Sequence, residues 1–333
     1  MLAHGIEAIR KHLAGLPGMD DVDIPVLRKI YDAAERAFYL PQGITVSAVE
    51  CGGRPGELLQ PAGGGQRAML YLHGGGYVLG SPKSHRHMIA ALALAADAVV
   101  LVPDYRLAPE AVFPAALDDA VAAYEWLLER GWRPDQIAMA GDSAGGGLCL
   151  ATLLHLKDQG AALPAAAICI SPWTDMTVSG ASHQSKADVD PMVKSASLRH
   201  YGELYCGSRA LDDPALSPLF GDLSGLPPLL IQVGSDEILL DDARELHLRA
   251  KAAGTDSTLE VWQGMFHVWH WFGHYLDEAA DATGKIADFM RRHCPAGQRR
   301  QPQNISGIQR CRKSAGRALS CKNWRGSTWA HAI

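Results

Sequence analysis

The feature that most constrains this chain is a series of short, unbroken apolar runs separated by helical patterns. "AMLYLH" (68–73), "AVVLVP" (98–103), "QIAMAG" (136–141), "AAAICIS" (165–171) and "LLIQVG" (229–234) have no polar alternation. That is what strands buried on both faces require. "ITVSAV" (44–49) alternates and suits an edge strand, and "LEVWQ" (259–263) alternates more than the buried runs do. Helical stripes fall between them. Leu117, Val121, Tyr124 and Leu128 share one face of a segment from Pro114 to Arg130, with Gly131 as its stop. Another helix is expected from Asp242, with Glu245 three residues on as a capping box. Strand–helix alternation predicts an α/β fold built on a mostly parallel sheet with helices on both faces. A content of 47% hydrophobic and 20% charged residues suits such a globular core.

Two segments break the alternation. Residues 1–40 carry two amphipathic patterns: Ile6, Ile9 and Leu13 mark one face, and Val26, Ile30, Ala33, Ala37 and Phe38 another, opened by Pro25. Between "SPWTD" (171–175) and "LPPLL" (226–230) lie about fifty residues of short pieces, long enough for a lid or substrate-binding element. The expected division is a helical cap segment over 1–42, the first part of the core over 43–175, a cap insertion over 176–225, and the second part of the core over 226–294. A basic tail follows over 295–333. It holds eight Lys or Arg and no Asp or Glu, and it lacks apolar periodicity. It reads as a disordered extension, with a nucleic-acid arm as the alternative.

The formal net charge of −5 gives the whole chain no pull toward nucleic acid. "MLAHGIEAIRKHLAGLPGMDD" has mixed charge and no continuous apolar run, which argues against a secretion signal or membrane span and for the cytoplasm. The seven cysteines form no C-x-x-C pair, so no zinc site is expected, and Cys149 and Cys169 read as small buried hydrophobes.

The chemistry centres on "GDSAGGGL" (141–148). A phosphate-cradling loop would need a lysine after the last glycine, and none occurs before Lys157. The remaining functional reading is a nucleophile elbow, Gly141-Asp142-Ser143-Ala144-Gly145, in which small neighbours let a strained strand-to-helix turn expose Ser143. A serine nucleophile needs a base and an acid to orient that base, and α/β sheets present such groups beyond the carboxyl ends of strands. Asp236 is the first carboxylate after "LLIQV". Glu237, its neighbour, would point away if Asp236 points in, and Asp241 and Asp242 come late enough to cap the next helix. Position alone does not single out the acid. His267 lies in a loop after the last strand, whereas His270 and His274 fall further along, within a helical stretch. Gly74 to Gly76 directly follow a strand, where side-chain-free backbone can offer N–H donors to an oxyanion.

With these motifs the sequence resembles the hormone-sensitive lipase-like family of bacterial esterases, a branch of the α/β-hydrolases. The resemblance is carried by "HGGGYVLGS" (73–81), "DYRLAPE" (104–110), "FPAALDDA" (113–120), "GDSAGGGL", "SPWTD", "LPPLLIQVGSDEILLDD" (226–242) and "GMFHVW" (264–269), over roughly residues 40–290. It implies an α/β-hydrolase fold with a mostly parallel eight-stranded sheet and a helical cap. It implies a Ser143–Asp236–His267 triad, with the oxyanion held by the N–H groups of Gly75, Gly76 and Ala144. It also implies a structural His73, an Arg106–Glu110 ion pair, and an Asp142 that points away from the nucleophile. The expected activity is hydrolysis of short-chain acyl esters through an acyl-enzyme, with no metal or organic cofactor. The expected partners are a small-molecule ester and a second copy paired through sheet edges, with no nucleic acid or membrane. Lactone or amide hydrolysis and a non-catalytic small-molecule receptor are the alternatives, the last disfavoured by the presence of His267.

Overall fold

The computed structural model describes residues 4–16 and 22–297. The tail from residue 298 onward, which carries all the basic residues of the expected extension, lies outside them. The chain before the tail is held through Gly297: Arg67 Nε donates to the Cys294 carbonyl at 2.7 Å, and Gly297 N–H to that of Gln66 at 3.2 Å.

Eight strands form one sheet: β1 (Ile44–Cys51), β2 (Arg54–Pro61), β3 (Arg67–Leu72), β4 (Ala98–Pro103), β5 (Ile137–Asp142), β6 (Ala166–Ile170), β7 (Leu229–Gly234) and β8 (Ser257–Trp262). Their order is β1-β2-β4-β3-β5-β6-β7-β8. β2 runs antiparallel to β1 and β4, and every pairing from β4 to β8 is parallel. The helices are α1 (Ile6–Leu13), α2 (Ile24–Asp32), α3 (Ala34–Ala37), α4 (Pro82–Ala96), α5 (Ala115–Glu129), α6 (Ala144–Asp158), α7 (Ser182–Ser185), α8 (Ser195–Cys206), α9 (Leu240–Ala252) and α10 (Asp277–His293).

The unbroken apolar runs fill both sides of the central strands, as their composition requires. Met69 and Tyr71 of β3, Val100 and Val102 of β4, and Ile168 and Ile170 of β6 pack with Ile89 of α4 and Ile286 of α10. Their alternates Leu70, Leu72, Leu101 and Cys169 face the opposite layer, with Leu117 of α5, Leu148 of α6 and Leu246 of α9. β2 gives no such signal in the sequence, because "RPGELLQP" is broken by Pro55, Gly56 and Pro61. Only Gly56–Leu59 pair with β4, so neither proline sits where that ladder needs its missing N–H. Gly56 fits because a Cβ there would lie 2.8 Å from the Val102 carbonyl oxygen.

The N-terminal helices correct part of the sequence reading. Ile9 and Leu13 of α1 are buried against Phe266, Trp269 and Phe272 as expected. In α2, however, Val26 and Ile30 are exposed and Leu27 is buried. The inward stripe is Leu27 and Tyr31, four residues apart on one face, fixed by Arg28. That guanidinium donates to the carbonyls of Val78 and Ala108 and pairs with Glu110 at 2.8 Å. Glu110 is therefore not the partner of Arg106. Arg106 instead grips Asp119 of α5 at 2.7 and 2.9 Å, because that buried carboxylate faces it across the first turns of the helix. α9 begins at Leu240 without a side-chain cap. Asp242 instead accepts from the N–H groups of Thr174 and Asp175 at 2.9 and 3.0 Å, tying the chain after β6 to this helix. Among the described residues no helix is long and apolar enough to cross a membrane.

Candidate active site

The elbow forms where β5 meets α6. Ser143 has φ 53° and ψ −121°, a conformation that costs a non-glycine residue roughly 1–3 kcal/mol and needs support from its surroundings. That support is backbone. Ser143 N–H donates to Ile170 O and Trp173 N–H to Ser143 O, both at 2.9 Å, so the end of β6 and the segment after it grip the turn from both sides. Gly145 is required by proximity, since a Cβ there would strike the carbonyl oxygen of Leu72 at the end of β3. Twelve of the fifteen residues of α6 are buried, so Ser143 is mounted at the start of a helix set in the core.

Asp142 points away from Ser143, as expected, into a polar knot under the glycine loop. It accepts from Tyr71 Oη at 2.8 Å and Gly74 N–H at 3.1 Å, and lies 3.3 Å from His85 Nε2. Burial opposes its charge, but His85 and Tyr71 outweigh that and hold the carboxyl below its ordinary pKa. His73 is structural. Its ring stacks on Tyr105 with centroids 4.2 Å apart, its Nδ1 lies 2.8 Å from Gly74 O, and burial, with His85 nearby, pushes its pKa down to about 3. Above this base Gly75 and Gly76 take φ 117° and 64°. Among the described residues neither N–H finds a backbone acceptor. Ala144 opens α6, where the N–H has no intrahelical partner.

His267 follows β8 in the loop that starts at Gly264. The loops after β7 and β8 are stitched together: Ser235 N–H donates to Trp262 O, Asp236 N–H to Met265 O, and Gly264 N–H to Ser235 Oγ. Within this stitch the carboxylate that meets His267 is one residue on from the one expected. Asp236 does not meet His267. Its carboxylate turns outward and pairs with Arg10 of α1 at 2.6 Å, and the same guanidinium donates to Gly264 O and Val189 O. Glu237 is the carboxylate at His267, with Oε2 2.9 Å from Nδ1. Its Oε1 accepts from Gly234 N–H at 2.5 Å and Ser171 Oγ at 2.7 Å, and its side chain is fully buried. The strand ends at Gly234, so two-residue alternation no longer sets side-chain direction. The turn brings Glu237 back beneath the sheet edge, where the Gly234 N–H meets it.

Burial works against a charged His267, yet the Glu237 carboxylate beside it outweighs that and raises the imidazole pKa above 6.5. Burial raises the Glu237 pKa as well, while its three donors oppose the shift and favour the carboxylate. His270 and His274 lie elsewhere. The former is buried, bonded to Gln232 Oε1 at 2.8 Å and pushed by burial to a pKa of about 3. Both line a hollow of about 280 Å³ that neither Ser143 nor His267 touches.

Ser143, His267, Gly75 and Gly76 line one small cavity of about 40 Å³. The rest of its wall is Tyr31 of α2, Met192, Val193, Leu198 of α8, Val268 and Trp271, which are mostly apolar, together with His85 and Asp142. A hydroxyl, an imidazole, a buried carboxylate and the backbone of Gly75 and Gly76 thus converge at the carboxyl ends of β3, β5, β7 and β8.

A strand-to-helix elbow, a histidine after the last strand and an acid after the one before it define a class, and residues 69–271 match the α/β-hydrolase fold family, to which the chain belongs. Within that fold it falls among the esterases of the hormone-sensitive lipase family. It is 49% identical over 267 residues to an acetyl-hydrolase of Streptomyces hygroscopicus, covering 79% of this chain and 88% of the relative. It is 32% identical to an esterase of Acinetobacter venetianus, covering 85% and 94%. The crystal structure of an esterase from the bacterial hormone-sensitive lipase family superposes with a TM-score of 0.82 at 44% identity, covering 86% of this chain and 96% of that one.

Proposed function

We propose that this protein is a carboxylesterase for short-chain acyl esters, working through Ser143, His267 and Glu237. Ser143 Oγ attacks the ester carbonyl while His267 Nε2 takes its proton, and Glu237 holds the imidazole by its Nδ1–H. The carbonyl oxygen becomes an oxyanion between the N–H groups of Gly75, Gly76 and Ala144. His267 then returns the proton to the leaving alcohol. Water, activated by the same imidazole, releases the acid from Ser143. The observation that carries this reading is the 2.9 Å contact between His267 Nδ1 and a fully buried Glu237, at the cavity that Ser143 lines.

The short-chain preference is supported by the small cavity and by the apolar side chains in its wall, Met192, Val193 and Leu198 among them. Each buried methylene adds about 0.8 kcal/mol until the wall is met, so rates rise with acyl length and then fall. The acetyl-hydrolase among the relatives points the same way. Pairing of two copies belongs to the same reading, because β8 pairs only with β7 among the described strands and leaves one sheet edge open.

The test is hydrolysis of p-nitrophenyl esters from C2 to C16, with one lactone and one amide, by the protein and by Ser143→Ala. The best turnover is expected at about C2 to C6, and Ser143→Ala is expected to lose on the order of 10⁶ in kcat. Equal turnover of the C16 ester, or a Ser143→Ala variant retaining a hundredth of the activity, would refute the proposal.

A further inference from the structure

Ser171 opens "SPWTD", a motif that no step above uses. It follows β6, is fully buried, and sits in the left-handed region at φ 45°. Its N–H donates to Gln232 O of β7 at 2.7 Å, which fixes the residue between the two strands. Its hydroxyl donates to Glu237 Oε1 at 2.7 Å. The same oxygen accepts from the N–H of Val268 at 3.2 Å, the residue directly after His267, itself at φ 49°. One side-chain oxygen therefore spans the acid and the histidine loop.

We propose that Ser171 is a positioning residue for the Glu237–His267 pair: its hydroxyl anchors the carboxylate oxygen facing away from His267 and clamps the histidine loop through Val268. The proposal rests on the triad reading above. A hydroxyl suits the place because it donates and accepts at once, whereas an apolar side chain can do neither. Without it, Oε1 keeps only the Gly234 donor, and the buried Val268 N–H loses its acceptor. The other charged groups acting on His267 are Asp190, from the segment before α8, and Asp142, at the end of β5. Among the described residues neither carboxylate is hydrogen-bonded to Ser171. Asp190 is held instead by the N–H groups of Met192, Val193 and Ile238.

Ser171→Ala and Ser171→Gly separate the hydroxyl from the backbone. Glycine adopts φ 45° without strain, so a purely conformational role would leave the glycine variant unimpaired. Both variants are expected to lose about ten- to a hundredfold in kcat on a short-chain p-nitrophenyl ester, the loss of one hydrogen bond to a charged group. KM should stay within about twofold of wild type, because no substrate contact is removed. The acid limb of kcat/KM should move up by about half to one pH unit, since a carboxylate with one donor fewer lets the pair hold its proton more tightly. A Ser171→Gly variant with wild-type kcat would overturn the proposal. So would a Ser171→Ala variant that melts as a folded protein with kcat and acid limb unmoved. Parallel Ser143→Ala and Glu237→Gln variants distinguish the two levels. If they are inactive while the Ser171 variants are not, the positioning role alone fails. If Ser143→Ala keeps its activity, the triad reading falls and takes this proposal with it.

Discussion

Exchanging one atom at Glu237 tests the site more sharply than removing the side chain. In Glu237→Gln the side chain keeps its shape but gains an amide N–H₂. The oxygen at Oε1 faces two donors, Gly234 N–H and Ser171 Oγ–H, and the first is backbone and cannot turn away. The amide oxygen must stay there, so the amide nitrogen is directed at His267 Nδ1, 2.9 Å away in the native pair. Two N–H groups cannot face each other. His267 is driven to the tautomer with its proton on Nε2, the nitrogen that has to accept from Ser143. An acid-to-amide change of this kind lowers kcat by about 10⁴ in a related triad, or about 5.5 kcal/mol of transition-state stabilisation. Asp236→Asn is the matched control. It weakens a pair with Arg10 in which the two side chains are 22% and 28% exposed, and such pairs are worth about 0–1 kcal/mol. Less than about a fivefold change in kcat follows from that figure. The assay is steady-state hydrolysis of p-nitrophenyl acetate, with thermal melting to confirm that both variants are folded. If Asp236→Asn lost three orders of magnitude and Glu237→Gln were nearly native, the assignment of the acid would be wrong.

Three further outcomes are expected. Because Glu237 raises the His267 pKa and the imidazole must be neutral to accept a proton, kcat/KM should fall as pH drops through a value above 6.5; a limb at or below 6.5 would show that the carboxylate does not act on it. Gly145→Ala drives a Cβ into the Leu72 carbonyl oxygen, and should cost at least the roughly 1–3 kcal/mol typical of overpacking; an unchanged urea midpoint would contradict the fit. A chain ending after Gly297 should keep its kcat/KM and melting temperature, whereas ending it after Cys294 removes the Gly297–Gln66 bond and should lower the melting temperature. Equal melting of the two would count against that contact.

The sheet was readable because burial on both faces leaves a compositional mark: β3 to β7 are unbroken apolar runs. β2 left none, since it borrows its place from its neighbours and carries two prolines. That Ser143 and His267 come to one cavity was readable because each stands in a motif with a local geometric demand, the elbow and the glycine-led loop. Which carboxylate meets His267 was not, because Asp236 and Glu237 are adjacent and lie beyond the strand, where no periodicity assigns direction. One signal was available: the apolar "ILL" that follows Glu237 continues into the core, and Glu237 adjoins it while Asp236 adjoins Ser235. Arg106 and α2 went astray for a related reason. Partners such as Asp119 and Val78 are set by tertiary packing, and spacing within a short motif does not reveal them.

The origin of the cavity wall has a consequence for how such a protein can change over generations. Every group assigned to bond-making in the proposed mechanism hangs from the carboxyl edge of the sheet, and Ser143 in addition from a helix buried over most of its length. Tyr31, Met192, Val193 and Leu198, which line the same cavity as Ser143 and in the proposed mechanism would meet the acyl group, are carried by segments outside the sheet. Reactivity and appetite are thus written in separate parts of the chain. Drift at those four positions can redraw the menu of acyl groups while the hydrolytic apparatus is inherited intact. A library varied only there should yield altered preferences far more often than dead enzymes.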